Sequence, residues 1–201
     1  MRIFFDFDGV LIDSLKLWEK ACEHAASKMN FQGIFPQNPY AKINPVSHKF
    51  IGESLGLNGV EFEKWADAYF LEHYRQLSFF EGTERILAAL SEEFELYILS
   101  ASSEIIVKNA LENAGFLVYF RGLFCGQNKA EVLMRFGDGA SVMIGDAISD
   151  VEAALRAGVF CIGVLWGWQD EEMLRQSSVC VKNHEELEFQ IRKFYENHTN
   201  D

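Results

Sequence analysis

Two aspartates, Asp6 and Asp8, lie in the string Asp6-Phe7-Asp8-Gly9-Val10-Leu11-Ile12-Asp13-Ser14 near the start of the chain. At a strand end, side chains two residues apart project the same way, so this spacing sets two carboxylates side by side. Such a pair repels unless a cation or a shared proton compensates. Mg2+ suits the position, being a hard ion that takes oxygen ligands and keeps several waters. The plainer reading is an acidic strand-to-turn junction with Gly9 supplying the turn. A second acidic string, Ile144-Gly145-Asp146-Ala147-Ile148-Ser149-Asp150, follows another apolar run. Asp146 falls at a strand end there, and Asp150 at the start of a helix, where a carboxylate also serves as an ordinary cap. Ser100 closes Tyr97-Ile98-Leu99, and Lys129 opens Lys129-Ala130-Glu131-Val132-Leu133. A strand-end hydroxyl and the backbone behind it, at Ala101, can hold phosphate oxygens, and a lysine offsets the charge that develops in phosphoryl transfer. Each also has a bland role, as a turn serine or a solvated lysine.

These groups need a scaffold that brings distant strand ends together. Short apolar runs bounded by polar or glycine residues predict strands over 3–7, 96–99, 141–144, 160–165 and 179–181. Helical spacing between them predicts helices over 83–91, 104–114, 129–136 and 150–157, the last two closing on Gly137 and Gly158. Strands alternating with helices of this length imply βαβ units and an open parallel α/β sheet. Ligands of such sheets sit beyond the carboxyl ends of the strands, where the candidate groups fall. From Leu15 to Phe79 the pattern is helical instead, with Trp18, Ala21, Cys22, Ala25 and Ala26 on one face and Phe62, Trp65, Ala66, Tyr69 and Phe70 on another. This predicts a helical insertion over 15–79 in a core of 1–14 and 80–201. Its irregular stretch over 33–45 holds all three prolines, Pro36, Pro39 and Pro45.

Composition narrows the partners. The 201 residues carry 18 Lys+Arg against 30 Asp+Glu, a formal net charge of -12, which disfavours nucleic acid and anionic membrane. The insertion has seven basic and seven acidic residues, so the whole excess belongs to the core. The start lacks the basic and long apolar regions of a signal peptide, and no run is long enough to span a membrane. Cys22, Cys125, Cys161 and Cys180 are widely spaced, which suggests buried thiols in a reducing cytoplasm rather than a zinc or disulfide framework. The five histidines show no metal spacing.

In chain order, the Asp-x-Asp strand end, the serine, the lysine and the Gly-Asp-x-x-x-Asp strand end, with a helical insertion after the first, resemble the haloacid dehalogenase superfamily of phosphohydrolases. The resemblance implies a Rossmann-like core with an inserted helical cap. The string Asp8-Gly9-Val10-Leu11-Ile12-Asp13-Ser14, the run Ala153-Ala154-Leu155-Arg156-Ala157-Gly158 and Gly163-Val164-Leu165-Trp166-Gly167 look most like the phosphoglycolate phosphatase-like branch. Trp166 and Trp168 also read simply as core or interface aromatics. By the same resemblance Asp6 is the nucleophile that forms a phosphoaspartyl intermediate, and Asp8 the general acid and base. Asp6, Asp8 through its carbonyl and Asp146 would hold Mg2+, with Asp150 a ligand through water or a support behind these, while Ser100, Ala101 and Lys129 would hold the phosphoryl group. An aspartate at position 8 favours phosphate esters over carbon–halogen or phosphonate substrates. Relatives usually follow the lysine with proline, whereas Ala130 stands here.

The cap would set the substrate, with Lys42, His48, Lys49, Gly52 and Ser54 as the groups expected to face it. The overall expectation is a cytoplasmic Mg2+-dependent phosphatase for a small phosphorylated metabolite, acting as a monomer or weak homodimer. A phosphosugar mutase of the same superfamily shares these motifs and is the alternative. A receiver-type signalling module is disfavoured because its acidic pair precedes the phosphorylated aspartate. Dinucleotide-binding and P-loop enzymes are disfavoured because neither glycine fingerprint occurs.

Overall fold

The computed structural model describes residues 1–199. Its centre is a six-stranded, all-parallel sheet in the order β3-β2-β1-β4-β5-β6. The strands are β1 (Arg2–Phe5), β2 (Glu95–Ser100), β3 (Phe120–Cys125), β4 (Val142–Gly145), β5 (Phe160–Val164) and β6 (Val179–Val181). β4 and, after Arg2, β1 are apolar runs because helices cover both faces of a parallel sheet. Ile3 and Phe5 join Leu96, Ile98 and Ile144 in the core on one face, and Phe4, Leu99 and Met143 form the core on the other.

The helices that cover the sheet are numbered in chain order with those of the insertion. The insertion carries α1 (Leu15–Lys28), α2 (His48–Ser54) and α3 (Gly59–His73). The sheet is flanked by α4 (Thr83–Ser91), α5 (Glu104–Ala114), α6 (Lys129–Phe136), α7 (Ile148–Ala157) and α8 (His184–Thr199). Chain order runs outward from β1 to β2 and β3, and in the other direction through β4, β5 and β6. The direction reverses between β1 and β4, and the crevice at their carboxyl ends is where such sheets bind ligands.

β3 and α8 are absent from the sequence reading. β3 is an edge strand whose apolar run is interrupted by Arg121 and Gly122, and it is only half-buried. α8 applies Leu187, Ile191 and Phe194 to the core at helical spacing. β1 ends at Phe5 rather than Phe7, since the chain turns after Asp6: the N–H groups of Leu11 and Ile12 both donate to the Phe7 carbonyl. α7 begins at Ile148, two residues before the expected start.

The insertion builds an apolar cluster of its own from the faces expected of it. Trp18, Ala21, Cys22, Ala25 and Ala26 of α1 pack on Phe62, Ala66 and Phe70 of α3, with Trp18 stacked on Phe70 at 3.7 Å between ring centres. The chain enters and leaves it on adjacent paths. The Asp13 N–H donates to the Ser78 carbonyl at 2.9 Å, and the Phe80 N–H to the Leu11 carbonyl at 3.0 Å. Ile12 and Phe79 form an antiparallel bridge between the two paths. Among the described residues no helix is long and apolar enough to cross a membrane.

Candidate active site

The reversal between β1 and β4 places Asp6 and Asp146, each one residue past its strand, next to each other. Both are buried, as is Asp150 in the first turn of α7. One carboxylate oxygen from each of Asp6, Asp146 and Asp150 lies within 4.8 Å of the others. Lys129, in the first turn of α6, reaches between them: its Nζ stands 2.7 Å from Asp6 Oδ2 and 2.6 Å from Asp150 Oδ1. The two oxygens of Asp150 have different partners. Its Oδ2 accepts the Ala147 N–H at 3.1 Å, as a helix-end carboxylate does, while Oδ1 faces the lysine.

Burial dominates the proton equilibria. It pushes Asp6 up to about 7, with the neighbouring Asp150 and Asp8 adding to the shift and Lys129 opposing it. Burial also lifts Asp146 well above the carboxylate range, aided by Asp6 and Asp150 and opposed by the Trp168 N–H, which donates to Asp146 Oδ2 at 2.6 Å. For Lys129 burial favours the neutral amine, but Asp150 and Asp6 outweigh it and raise its pKa. With all three carboxylates ionised against one ammonium, two negative charges would stand uncompensated in a buried space, and the donors are all oxygen. That set fits a divalent ion such as Mg2+.

Glycines let the chain pass close to these acids. A Cβ on Gly9 or Gly167 would overlap the Asp146 carboxylate, and one on Gly145 would overlap Asp150. Gly9 is also left-handed, at φ +73°, so two requirements meet at one residue.

Asp8 lines the same cavity. Ser102 Oγ donates to its Oδ2 at 2.5 Å, while its Oδ1 is buried without a partner. Ser100 Oγ accepts the Ser102 N–H at 3.1 Å, which leaves its own hydrogen to donate. Asp6, Asp8, Ser100, Ala101, Lys129 and Asp146 all border one cavity of about 690 Å³, and Asp150 lies just behind it. The insertion supplies the facing wall with Trp18, Asn44, Ser47, His48, Asp67 and Phe70 among others. Lys42 and Lys49 stand apart from that wall: they are exposed and paired with Glu172 and Glu53. Gly52 packs against Phe62 and Ser54 bonds to its own helix, so neither lines the cavity.

The sequence reading missed Ser102, whose position two residues past a strand end places it over Asp8. It also missed Gln169, a buried amide whose Nε2 donates to the carbonyls of Tyr40 and Ile43, both at 2.9 Å, and whose Oε1 accepts the Ile148 N–H at 2.7 Å. Asn38 Nδ2 adds a bond to the Trp168 carbonyl at 2.8 Å. The irregular stretch of the insertion is thus clasped to the loop that holds Asp146. Trp168 serves both sides, its ring packed on Tyr40 and its backbone N–H bonded to Asp146.

The model of the haloacid dehalogenase-like hydrolase family matches residues 3–164. This chain belongs to that family. It is a hydrolase, and curated relatives carry names for cleavage of phosphate esters. It is 29% identical over 190 residues to the phosphoglycolate phosphatase of Synechococcus elongatus, with 86% of this chain and 87% of that protein covered. It is 23% identical to a 5'-nucleotidase of Pseudomonas aeruginosa, covering 87% and 86%. Among solved structures, a predicted phosphatase from Clostridium acetobutylicum superposes with a TM-score of 0.83 at 22% identity, covering 96% and 98%. A beta-phosphoglucomutase from Clostridium difficile superposes with a TM-score of 0.78 at 20% identity, covering 100% and 99%. These structural likenesses concern the fold.

Proposed function

We propose that the chain is a Mg2+-dependent phosphatase that hydrolyses a small phosphomonoester through a phosphoaspartyl intermediate on Asp6. The observation that carries this reading is Asp6 and Asp8 bordering one cavity with Ser100 and Lys129, beside a buried triple-carboxylate cluster of oxygen donors. Asp6, Asp146 and Asp150, with the Asp8 carbonyl, would hold the ion. Bound there, Mg2+ supplies positive charge that offsets repulsion between a carboxylate and a phosphate dianion.

The side chains then divide the work. Asp6 attacks phosphorus, and its Oδ1 is aimed by the Phe7 N–H at 2.7 Å. Lys129 favours the ionised form of Asp6 against the effect of burial and counters the charge on the phosphoryl oxygens. Ser100 donates its free hydroxyl hydrogen to one of those oxygens. Asp8 gives its proton to the leaving alkoxide and then takes one from the water that attacks the aspartyl phosphate, with Ser102 fixing its carboxyl group. The insertion acts as the cap over 15–79 and faces the leaving group. The four cysteines are all unpaired, which agrees with work in the cytoplasm. The reading takes a monomer or weak homodimer as the working unit.

The test is inorganic phosphate release from a panel of phosphorylated metabolites by wild type and Asp6→Asn. Wild type should release phosphate only with Mg2+, and the variant should release none. Equal rates for the two proteins remove Asp6 from the mechanism. Isomerisation of a sugar phosphate without phosphate release would make the enzyme a mutase.

A further inference from the structure

We infer that the substrate's leaving group ends in a hydrogen-bond donor, a hydroxyl or an ammonium, and carries no carboxylate. The inference rests on the phosphatase reading and names the substrate class of the same cavity. Its basis is the ionised groups on the wall opposite the phosphate site. The insertion contributes Glu63, Asp67 and His48 to that wall, and neither a lysine nor an arginine. The His48 ring offers no unopposed charge to an anion: its Nδ1 stands 3.2 Å from Asp67 Oδ1, and the ring packs on Trp18 at 4.2 Å.

None of the seven basic residues of the insertion lines the cavity, and four of them are engaged elsewhere. Lys16 pairs with Glu19, Lys42 with Glu172 and Lys49 with Glu53, and Lys28 lies over the Trp65 ring. On the core side the cavity has Lys129, held by two aspartates, and the exposed Arg156, which shares α7 with the lining carboxylate of Glu152. A carboxylate on the leaving group would approach Glu63 and Asp67 with no cation on their wall, and like charges across an interface discriminate strongly. A hydroxyl or ammonium would instead find acceptors. Size agrees with a substrate that reaches this wall. A cavity of about 690 Å³ belongs to the class that takes ligands of many atoms, larger than a two-carbon ester. Trp18, Val46, Phe70 and Ile106 would cover the carbon chain between the two ends.

The experiment uses alkyl phosphates of two to five carbons ending in hydroxyl, ammonium or carboxylate, with p-nitrophenyl phosphate as a generic ester and Mg2+ present. At the longer lengths wild type should prefer the hydroxyl or ammonium ester over the matched carboxylate by at least about tenfold in kcat/KM. A hydroxyl preference would identify a polyol phosphate and an ammonium preference an amino-alcohol phosphate. Glu63→Gln combined with Asp67→Asn should shrink the gap by raising kcat/KM for the carboxylate ester. Calorimetric binding of the same series to Asp6→Asn should repeat the order without turnover. A carboxylate ester used equally well or better overturns the inference while leaving the phosphatase reading intact, and so does an undiminished gap in the folded double variant. Failure to cleave any ester, p-nitrophenyl phosphate included, overturns the phosphatase reading itself.

Discussion

Replacing Lys129 by methionine removes one charge from the most crowded electrostatic position in the molecule while keeping an unbranched chain of similar length. In wild type the ammonium lies within 2.7 Å of both Asp6 and Asp150, and all three groups are largely buried. Breaking a buried ion pair by deleting one partner costs about 3–5 kcal/mol, because the remaining charge has neither water nor a counterion. Here two carboxylates lose the same partner, so the upper part of that range is expected at pH 7.5 in the absence of metal. The loss should shrink on acidification. Asp6 stands at about 7 with the lysine in place, and without the lysine its pKa must rise further. A protonated Asp6 no longer needs a cation, so at pH 5.5 part of the penalty disappears. Urea unfolding followed by tryptophan fluorescence, in chelator at both pH values, measures the difference. A cost below about 1 kcal/mol at both pH values, or a larger cost at pH 5.5, would refute the reasoning.

Metal-free wild type should itself gain stability as pH falls from 7.5 toward 5, because Asp6 and Asp146 have raised folded pKa values: the stability tied to their protons is complete below the unfolded value and lost as pH rises through the folded one. Mg2+ should therefore raise the thermal midpoint more at pH 8 than at pH 5.5, and equal shifts in scanning calorimetry would contradict the buried-carboxylate account. Gln169→Ala strands two carbonyls and one N–H at a buried junction, costing about 2–4 kcal/mol. Limited proteolysis should then cut residues 29–47 faster than in wild type; unchanged cleavage would mean that the amide does not hold this stretch. Gly9→Ala should weaken Mg2+ binding in direct titration, since the new methyl needs the space of the Asp146 carboxylate; unaltered affinity would show that the loop relaxes freely.

The candidate site was legible where residue type and topology coincide. Asp6, Ser100 and Asp146 sit at the ends of apolar runs, and a parallel sheet forces such ends to one edge, so type and position pointed the same way. The faces of α1 and α3 were legible for a similar reason, as helical periodicity carried Trp18 and Phe70 to one seam. β3 escaped because an edge strand buries too little to need an unbroken apolar run, and Arg121 and Gly122 break it. Ser102 and Gln169 escaped because their roles depend on what stands opposite them, which no local spacing encodes. Lys42 and Lys49 offer only charge as a signal, and nearby Glu172 and Glu53 match it.

The bridge between Ile12 and Phe79 has a consequence for how this architecture can vary. Because the outgoing and returning paths are already tied together, the ends of the insertion are closed independently of what lies between them. Loop-closure entropy grows only slowly with length, so adding or removing residues beyond that tie scarcely changes the free energy of the sheet beneath. The helical segment is, in effect, an exchangeable attachment on a two-stranded stem. Variation can redesign its helices while the carboxylates keep their places, provided that the contacts of Tyr40, Ile43 and Asn38 with the loop over Asp146 are kept.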